Sequence, residues 1–214
     1  MPFFRKIQRR LFPPFECLEG YEQSELIETV FRKTIAFEPV GDWPLVADAC
    51  SVLDFGGGCG LHYKLARLQS PDIRWAVVET PAMVARAREL ETDHLRFFTD
   101  IEPAAEWLSE IDLMHSNSAL QYTSEPLATL KRLCKLDAQI MYWARLWITE
   151  EPRHETQSSY LTDNGPRVLS DGPEKLVRYE RVSTTEADFL AAHANYSLRE
   201  RGPDWFWFVH SSTR

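Results

Sequence analysis

Three acids, a run of glycines and two histidines in this 214-residue chain stand at spacings that suit ligand binding. The densest stretch is Ser51-Val52-Leu53-Asp54-Phe55-Gly56-Gly57-Gly58-Cys59-Gly60. An apolar run enters it, Asp54 ends the run, and Leu61 to Leu68 read as helix. The pattern predicts a strand, a tight turn and a helix start. Glycine suits such a turn because it reaches positive φ at little steric cost and lets a ligand approach the backbone. The N–H groups at the helix start favour a carboxylate or a phosphate. A dinucleotide fingerprint requires Gly-x-Gly-x-x-Gly. Here Leu61 stands where the third glycine should be, and the spacing is Asp54-x-Gly56-x-Gly58-x-Gly60.

The other candidates also end predicted strands, where open α/β sheets bind ligands. Glu79 closes the apolar run Ile73 to Val78, about twenty residues beyond the turn, where a carboxylate can accept hydrogen bonds from both hydroxyls of a ribose. Asp100 follows Leu95 to Thr99 and reads either as a site residue or as a helix N-cap. His115-Ser116-Asn117 ends the run Ile111 to His115. A histidine titrates near neutrality, so His115 is a candidate general base and His62, just inside the glycine helix, a second, although a lone histidine is more often structural. Asp54 is expected to order the turn and nearby donors. No metal site is expected: Glu150, Glu151, His154 and Glu155 cluster, but Pro152 interrupts them and no second histidine is near.

The elements that must position these groups alternate. Apolar runs near 51–55, 73–78, 95–99, 111–115 and 139–148 are separated by helical patterns, with Thr80-Pro81 and Ser124-Glu125-Pro126 as helix starts. Such alternation implies right-handed crossovers and a parallel sheet. A helix over 21–37, with Ser24 as N-cap, precedes the glycine strand. Leu45 to Ala49 reads as a short helix, and Ser183-Thr184-Thr185-Glu186 as a capping box. Tyr196 to Arg201 and Trp205 to Ser211 flank Gly202-Pro203-Asp204 and predict a hairpin. The expected fold is therefore α/β: a Rossmann-like, doubly wound, mostly parallel seven-stranded sheet with an antiparallel C-terminal edge strand. Residues 149–175 lack periodicity and are expected to form an irregular substrate-side insertion. Trp147, near a strand end, is a candidate for stacking on a substrate.

Composition excludes several classes. A net charge of −8 argues against a nucleic-acid partner held by counterion release. No apolar run reaches membrane-spanning length. The four cysteines show neither CxxC nor zinc spacing, which fits reduced thiols in a cytoplasmic protein. Residues 1–20 read as a basic leader, with Arg5, Lys6, Arg9 and Arg10 and no acid in the first ten residues. It suits weak contact with an anionic membrane surface or a partner, but reads more simply as a mobile or lightly docked leader, ahead of one domain over 21–214.

Asp54-x-Gly56-x-Gly58-x-Gly60 resembles motif I of the class I S-adenosylmethionine-dependent methyltransferases. Gly60-Leu61-His62-Tyr63, Val78-Glu79-Thr80-Pro81 and Ser116-Asn117-Ser118-Ala119-Leu120-Gln121-Tyr122 narrow the likeness to methyltransferases often encoded among polysaccharide-biosynthesis genes, over roughly residues 20 to 148. The resemblance implies S-adenosyl-L-methionine along Asp54, Gly56, Gly57, Gly58 and Gly60, with Glu79, Thr80 and Ser116 beside it. It implies Asp100 and Ile101 at the adenine. It implies Asn117, Gln121 and Tyr122 orienting a small-molecule or glycan acceptor, and Tyr21 as a lid or a packed core edge. A nicotinamide-dependent oxidoreductase, disfavoured by Leu61, and a non-catalytic binding module of the same fold are the alternatives.

Overall fold

The computed structural model describes residues 17–166 and 175–212. Most of the expected basic leader, and part of the 149–175 segment, lie outside the described residues.

The chain opens with β1 (Cys17–Glu19) and α1 (Ser24–Ala36). The glycine strand β2 (Ser51–Phe55) and α2 (Leu61–Ala66) follow, then β3 (Arg74–Val78) and α3 (Pro81–Ala87). Next come β4 (Leu95–Phe98), α4 (Ile101–Leu108), β5 (Leu113–Asn117), α5 (Pro126–Cys134) and β6 (Ile140–Ala144). The remainder is β7 (Ile148–Thr149), β8 (His154–Tyr160), β9 (Leu176–Val182), β10 (Thr184–Thr185), α6 (Glu186–Ala192), β11 (Tyr196–Arg201) and β12 (Phe206–His210).

Seven strands form the central sheet in the order β11-β12-β6-β5-β2-β3-β4. β2 pairs in parallel with β3 and β5, and β12 runs antiparallel to both β6 and β11. The expected hairpin is present, but its reversed strand β12 lies one place in from the edge. The edge itself is β11, which carries an almost wholly exposed side-chain set.

Both faces of the sheet are covered, which is why its strands read as apolar runs and not as alternating patterns. One face packs Leu53, Met114 and Trp143 against Ile101, Leu130 and Phe189 of α4, α5 and α6. The other packs Val52, Trp75 and Val77 against Phe31, Tyr63 and Val84 of α1, α2 and α3. Among the described residues, no helix is long and apolar enough to cross a membrane.

A second sheet, β1-β9-β8, rests on α1 through Leu26, Leu161, Val177 and Tyr179. Two lysines tie α1 in place. Lys64 Nζ donates to the carbonyls of Thr34, Ile35 and Phe37 at 2.8, 3.0 and 2.5 Å, closing the C-terminal end of α1. The buried Lys33 donates to the carbonyls of Thr162 (3.0 Å) and Asn164 beyond β8.

Several expectations are corrected here. The 149–175 segment is not wholly irregular, because β8 lies within it, antiparallel to β9. β6 stops at Ala144, short of Ile148, because Arg145 takes φ +52° and turns the chain out of the sheet. The N-cap of α1 is Gln23 and not Ser24. The cap of α6 is Thr185, which accepts from the Asp188 amide, while Ser183 instead accepts from the Arg153 amide at 2.8 Å. The 45–49 helix is a single 3-10 turn over Pro44–Val46. Trp147 carries the Arg181 guanidinium over its ring at 4.0 Å, so its face is already covered.

His193 shows how tightly the first core is built. It accepts from Trp143 Nε1 (2.9 Å), donates to the Phe189 carbonyl (2.7 Å) and stacks on Phe208 at 3.9 Å. Burial pushes its pKa down to about 4, against the pull of the Phe189 carbonyl. The folded protein thus binds fewer protons than the unfolded chain between pH 6.5 and 4, and stability must fall as pH drops through that window. The loss attributable to this group is about 3 kcal/mol by pH 4. Urea unfolding at pH 7, 5.5 and 4 should show a flatter acid dependence in His193→Gln than in wild type. Equal slopes would contradict the assignment.

Candidate functional site

The turn after β2 takes the conformation its glycines permit. Gly56, Gly58 and Gly60 have φ of +73°, +59° and +81°. Gly57 is needed for space: a Cβ there would lie 2.3 Å from Asp54 Oδ2. A Cβ on Gly56 would lie 2.0 Å from that of Ala119. At Gly58 the nearest atom would be Val30 Cγ1 at 3.6 Å, so that residue opens onto free space.

Beneath the turn sits Asp54, with no exposed surface. Oδ1 accepts from His115 Nδ1 at 2.7 Å and Oδ2 from Trp75 Nε1 at 3.1 Å. Burial opposes the charge on Asp54, but the imidazoles of His115 and His62 hold its carboxyl well below the usual range. Burial lowers the pKa of His115, against Asp54. The pair is therefore an ionised carboxylate receiving an N–H from a neutral imidazole. His62 Nδ1 lies 3.7 Å from Asp54 Oδ2 and has no hydrogen-bond partner, while its Nε2 faces Asn117 Nδ2 at 3.4 Å.

Asp54, His62 and His115 are the cluster whose ligand-capable atoms lie within 4.8 Å of one another among the described residues. Two N–H groups already occupy the Asp54 oxygens and Gly57 packs against them. The arrangement is a hydrogen-bonded support.

Above the turn is a cavity of about 590 Å³. Gly56, Gly57, Gly58, His62, Glu79 and Thr80 line one side of it, and Asn117, Ser118, Tyr122 and Arg145 another. Tyr21, Gln157 and Asn164 come from α1's approach and from the second sheet's side. A second cavity, of about 570 Å³, shares Gly56, Glu79 and Thr80 with the first and extends past Val78, Thr99 and Ala119. Glu79 accepts from the amides of Gly58 (3.0 Å) and Thr80 (2.9 Å), and its burial raises its pKa against those two bonds. Thr80 Oγ1 is buried without a partner.

The predicted residues thus divide. His62, Glu79, Thr80, Asn117, Tyr122, Tyr21 and the turn glycines except Gly60 come together on the cavity walls. Gly60 instead faces Leu95 and Phe97, and starts α2. Asp54 lies behind the wall. His115 is 1% exposed and supports Asp54, so it does not meet an acceptor. Asp100 caps α4 through the Ile101 amide and pairs with Arg132, pointing to solvent. Ile101 is buried in the core beside Leu108 and not at a ligand surface. Ser116 is buried, with its hydroxyl unpartnered. Gln121 is buried and donates to the Arg145 carbonyl at 3.0 Å, so it holds backbone and not acceptor. Tyr21 stacks on Tyr179 at 4.4 Å and leans on Tyr122 at 5.1 Å, joining the second sheet to the central one.

Sequence reasoning missed Ser118, Thr99 and Arg145. Ser118 stands at φ +60°, a conformation that nothing in the residue type announces. Thr99 precedes the acid that drew attention, and only its place beyond β4 gives it away.

The two neighbouring glycines make separable demands. Gly57→Ala should cost roughly 2–3 kcal/mol or more, as a steric clash against a buried carboxylate. Gly58→Ala should cost only about 1–2 kcal/mol, from its positive φ. Thermal unfolding of both variants checks this; a reversed order would contradict the packing described.

No protein-family model matches the sequence, and no curated protein matches it. Solved structures do. One is DesVI from Streptomyces venezuelae, 16% identical, covering 88% of this chain and 90% of that one, with a TM-score of 0.51. Another is the S-adenosylmethionine-bound CalS10, an amino pentose methyltransferase from Micromonospora echinaspora involved in calicheamicin biosynthesis. It is 14% identical, with 99% and 97% coverage and a TM-score of 0.50. An O-methyltransferase family protein from Burkholderia thailandensis is 13% identical, with 88% and 58% coverage and a TM-score of 0.51. At these identities the likeness is one of architecture: the chain shares its Rossmann-like fold with these structures.

Proposed function

We propose that the protein is an S-adenosylmethionine-dependent methyltransferase acting on a sugar or a comparable small molecule bearing a hydroxyl or amine. The observation that carries this reading is one cavity wall built from the Gly56–Gly58 backbone, Glu79 and His62. The donor set fits the cofactor. The Glu79 carboxylate suits ribose hydroxyls, the side-chain-free turn leaves room for the methionine portion, and the unpartnered Thr80 hydroxyl awaits a polar atom. Val78, Thr99 and Ala119 would flank the adenine in the second cavity. That CalS10 is an amino pentose methyltransferase bound to this compound supports the same assignment.

When bound, the sulfonium supplies an electrophilic methyl group. The protein's part is to place a nucleophile and, for a hydroxyl, to accept its proton. Placement alone can supply several kcal/mol of the barrier. His62 Nε2, on the cavity wall, would take the proton, with Asp54 behind Nδ1 to favour the resulting cation. Asn117 and Tyr122 would orient the acceptor. The four free cysteines fit a cytoplasmic setting, and the motif combination points to glycan or sugar-nucleotide acceptors. The basic leader, where it meets an anionic surface, would bring the enzyme near such substrates.

Calorimetry with S-adenosylhomocysteine is the test. Wild type should bind it and should not bind NAD. Gly58→Arg should lose binding with little loss of fold. His62→Gln should keep cofactor affinity yet lower turnover of a hydroxyl acceptor by about 10²–10⁴-fold. Unchanged affinity in Gly58→Arg would refute the assignment.

A further inference from the structure

Arg145 is the one arginine or lysine, among the described residues, on the wall of the cavity above the glycine turn. It stands directly after β6, at the carboxyl end of the sheet, with φ +52°. A residue with a Cβ seldom adopts that conformation, and glycine would do so without strain. The surrounding structure nevertheless enforces it. Gln121, buried, donates to the Arg145 carbonyl at 3.0 Å, and the Ser118 amide donates to the Ala144 carbonyl at 2.8 Å. The Leu146 amide is held by the Asp204 carbonyl at 3.0 Å.

The side chain is exposed and is directed by one hydrogen bond. Arg145 Nε donates to Asn117 Oδ1 at 2.6 Å. Among the described residues, no carboxylate forms an ion pair with this guanidinium, whereas Arg86, Arg132, Arg181 and Arg201 each hold one. With Nε engaged, the two terminal nitrogens are left as a fork whose shape matches a phosphate or carboxylate. Asn117 also links this fork to the base: its Nδ2 faces His62 Nε2 at 3.4 Å. A single side chain therefore separates the cation from the nitrogen that would accept the proton.

We infer that Arg145 is a specificity-determining residue that receives an anionic group of the acceptor, a phosphate or a carboxylate, carried within about one sugar ring of the methylated atom. This rests on the methyltransferase reading and narrows its substrate class to acidic acceptors. Across the cavity, the second sheet's side offers the neutral Gln157, Ser159 and Asn164, suited to hydroxyl groups, and the carboxylates of the lining, Glu79 and Asp163, are where an anionic group would not be placed.

The test is binding to the complex of the full chain with S-adenosylhomocysteine, read by calorimetry. Four probes are used: inorganic phosphate, a hexose 1-phosphate, a hexuronate and a neutral methyl hexoside. Either the hexose phosphate or the hexuronate should bind at least tenfold more tightly than the neutral glycoside, and which of them does so identifies the anion. Arg145→Gln should lose that advantage, and Arg145→Lys should restore part of it with a steeper salt dependence. Arg145→Gly should unfold at the same temperature as wild type or higher, since it relieves the backbone, and still lose the anion. S-adenosylhomocysteine affinity should stay unchanged in all three variants. Anionic probes that bind no better than the neutral glycoside, or that bind Arg145→Gln as well as wild type, would overturn the inference. Failure of wild type to bind S-adenosylhomocysteine would instead overturn the methyltransferase reading.

Discussion

Asp54 puts a negative charge where no water reaches it, and the surrounding architecture is arranged to keep it there. An isolated carboxylate in such a place would be strongly disfavoured, so it must be met by donors. Trp75 from the neighbouring strand β3 supplies one N–H and His115 from the other neighbour, β5, supplies the second. Three adjacent strands are thereby tied together through one carboxylate. The same carboxylate forbids any side chain at Gly57, and so dictates the path of the turn above it. The ligand-facing backbone is shaped by the group beneath it.

The cavity needs a second half, and that half comes from outside the central sheet. β1, β8 and β9 would form a small, largely exposed sheet on their own. They are secured by buried contacts to α1 and by Tyr21 stacked on Tyr179, with Tyr122 edge-on to Tyr179. Lys33 and Lys64 add direct ties, each spending its charge on carbonyl oxygens at a chain turn or helix end. The polar side chains that β8 brings to the cavity, Gln157 and Ser159, ride on this attachment. Tyr122 Oη donates to Gln157 Oε1 at 3.0 Å, so the wall from the central sheet and the wall from the second one are joined at the site itself.

What the sequence discloses follows from where each element is buried. β2, β3 and β5 are covered on both faces, so they appear as apolar runs, and Asp54 and Glu79 stand out at their ends. The glycine turn is legible because its φ values demand glycine. β8 escapes notice because its side chains, His-Glu-Thr-Gln-Ser-Ser-Tyr, are mostly exposed and carry no apolar alternation. Asp100 and Glu79 look alike in sequence. Only Arg132, thirty-two residues away on α5, draws Asp100 off to the surface. Gln121 and Tyr122 are neighbours on one 3-10 turn and face opposite ways, one into the core and one into the cavity. Arg145 has no local signature at all. Its conformation is imposed by Gln121 and by chain segments distant in sequence.

The central claim is that a sulfonium nucleoside lies along the glycine turn with its sugar at Glu79. A crystal structure of the protein grown with S-adenosylhomocysteine tests it most directly. Both ribose hydroxyls should lie within hydrogen-bond distance of the Glu79 carboxylate, with the methionine portion against Gly56–Gly58. A nucleoside bound elsewhere, or a Glu79 that still meets only the Gly58 and Thr80 amides, would contradict it.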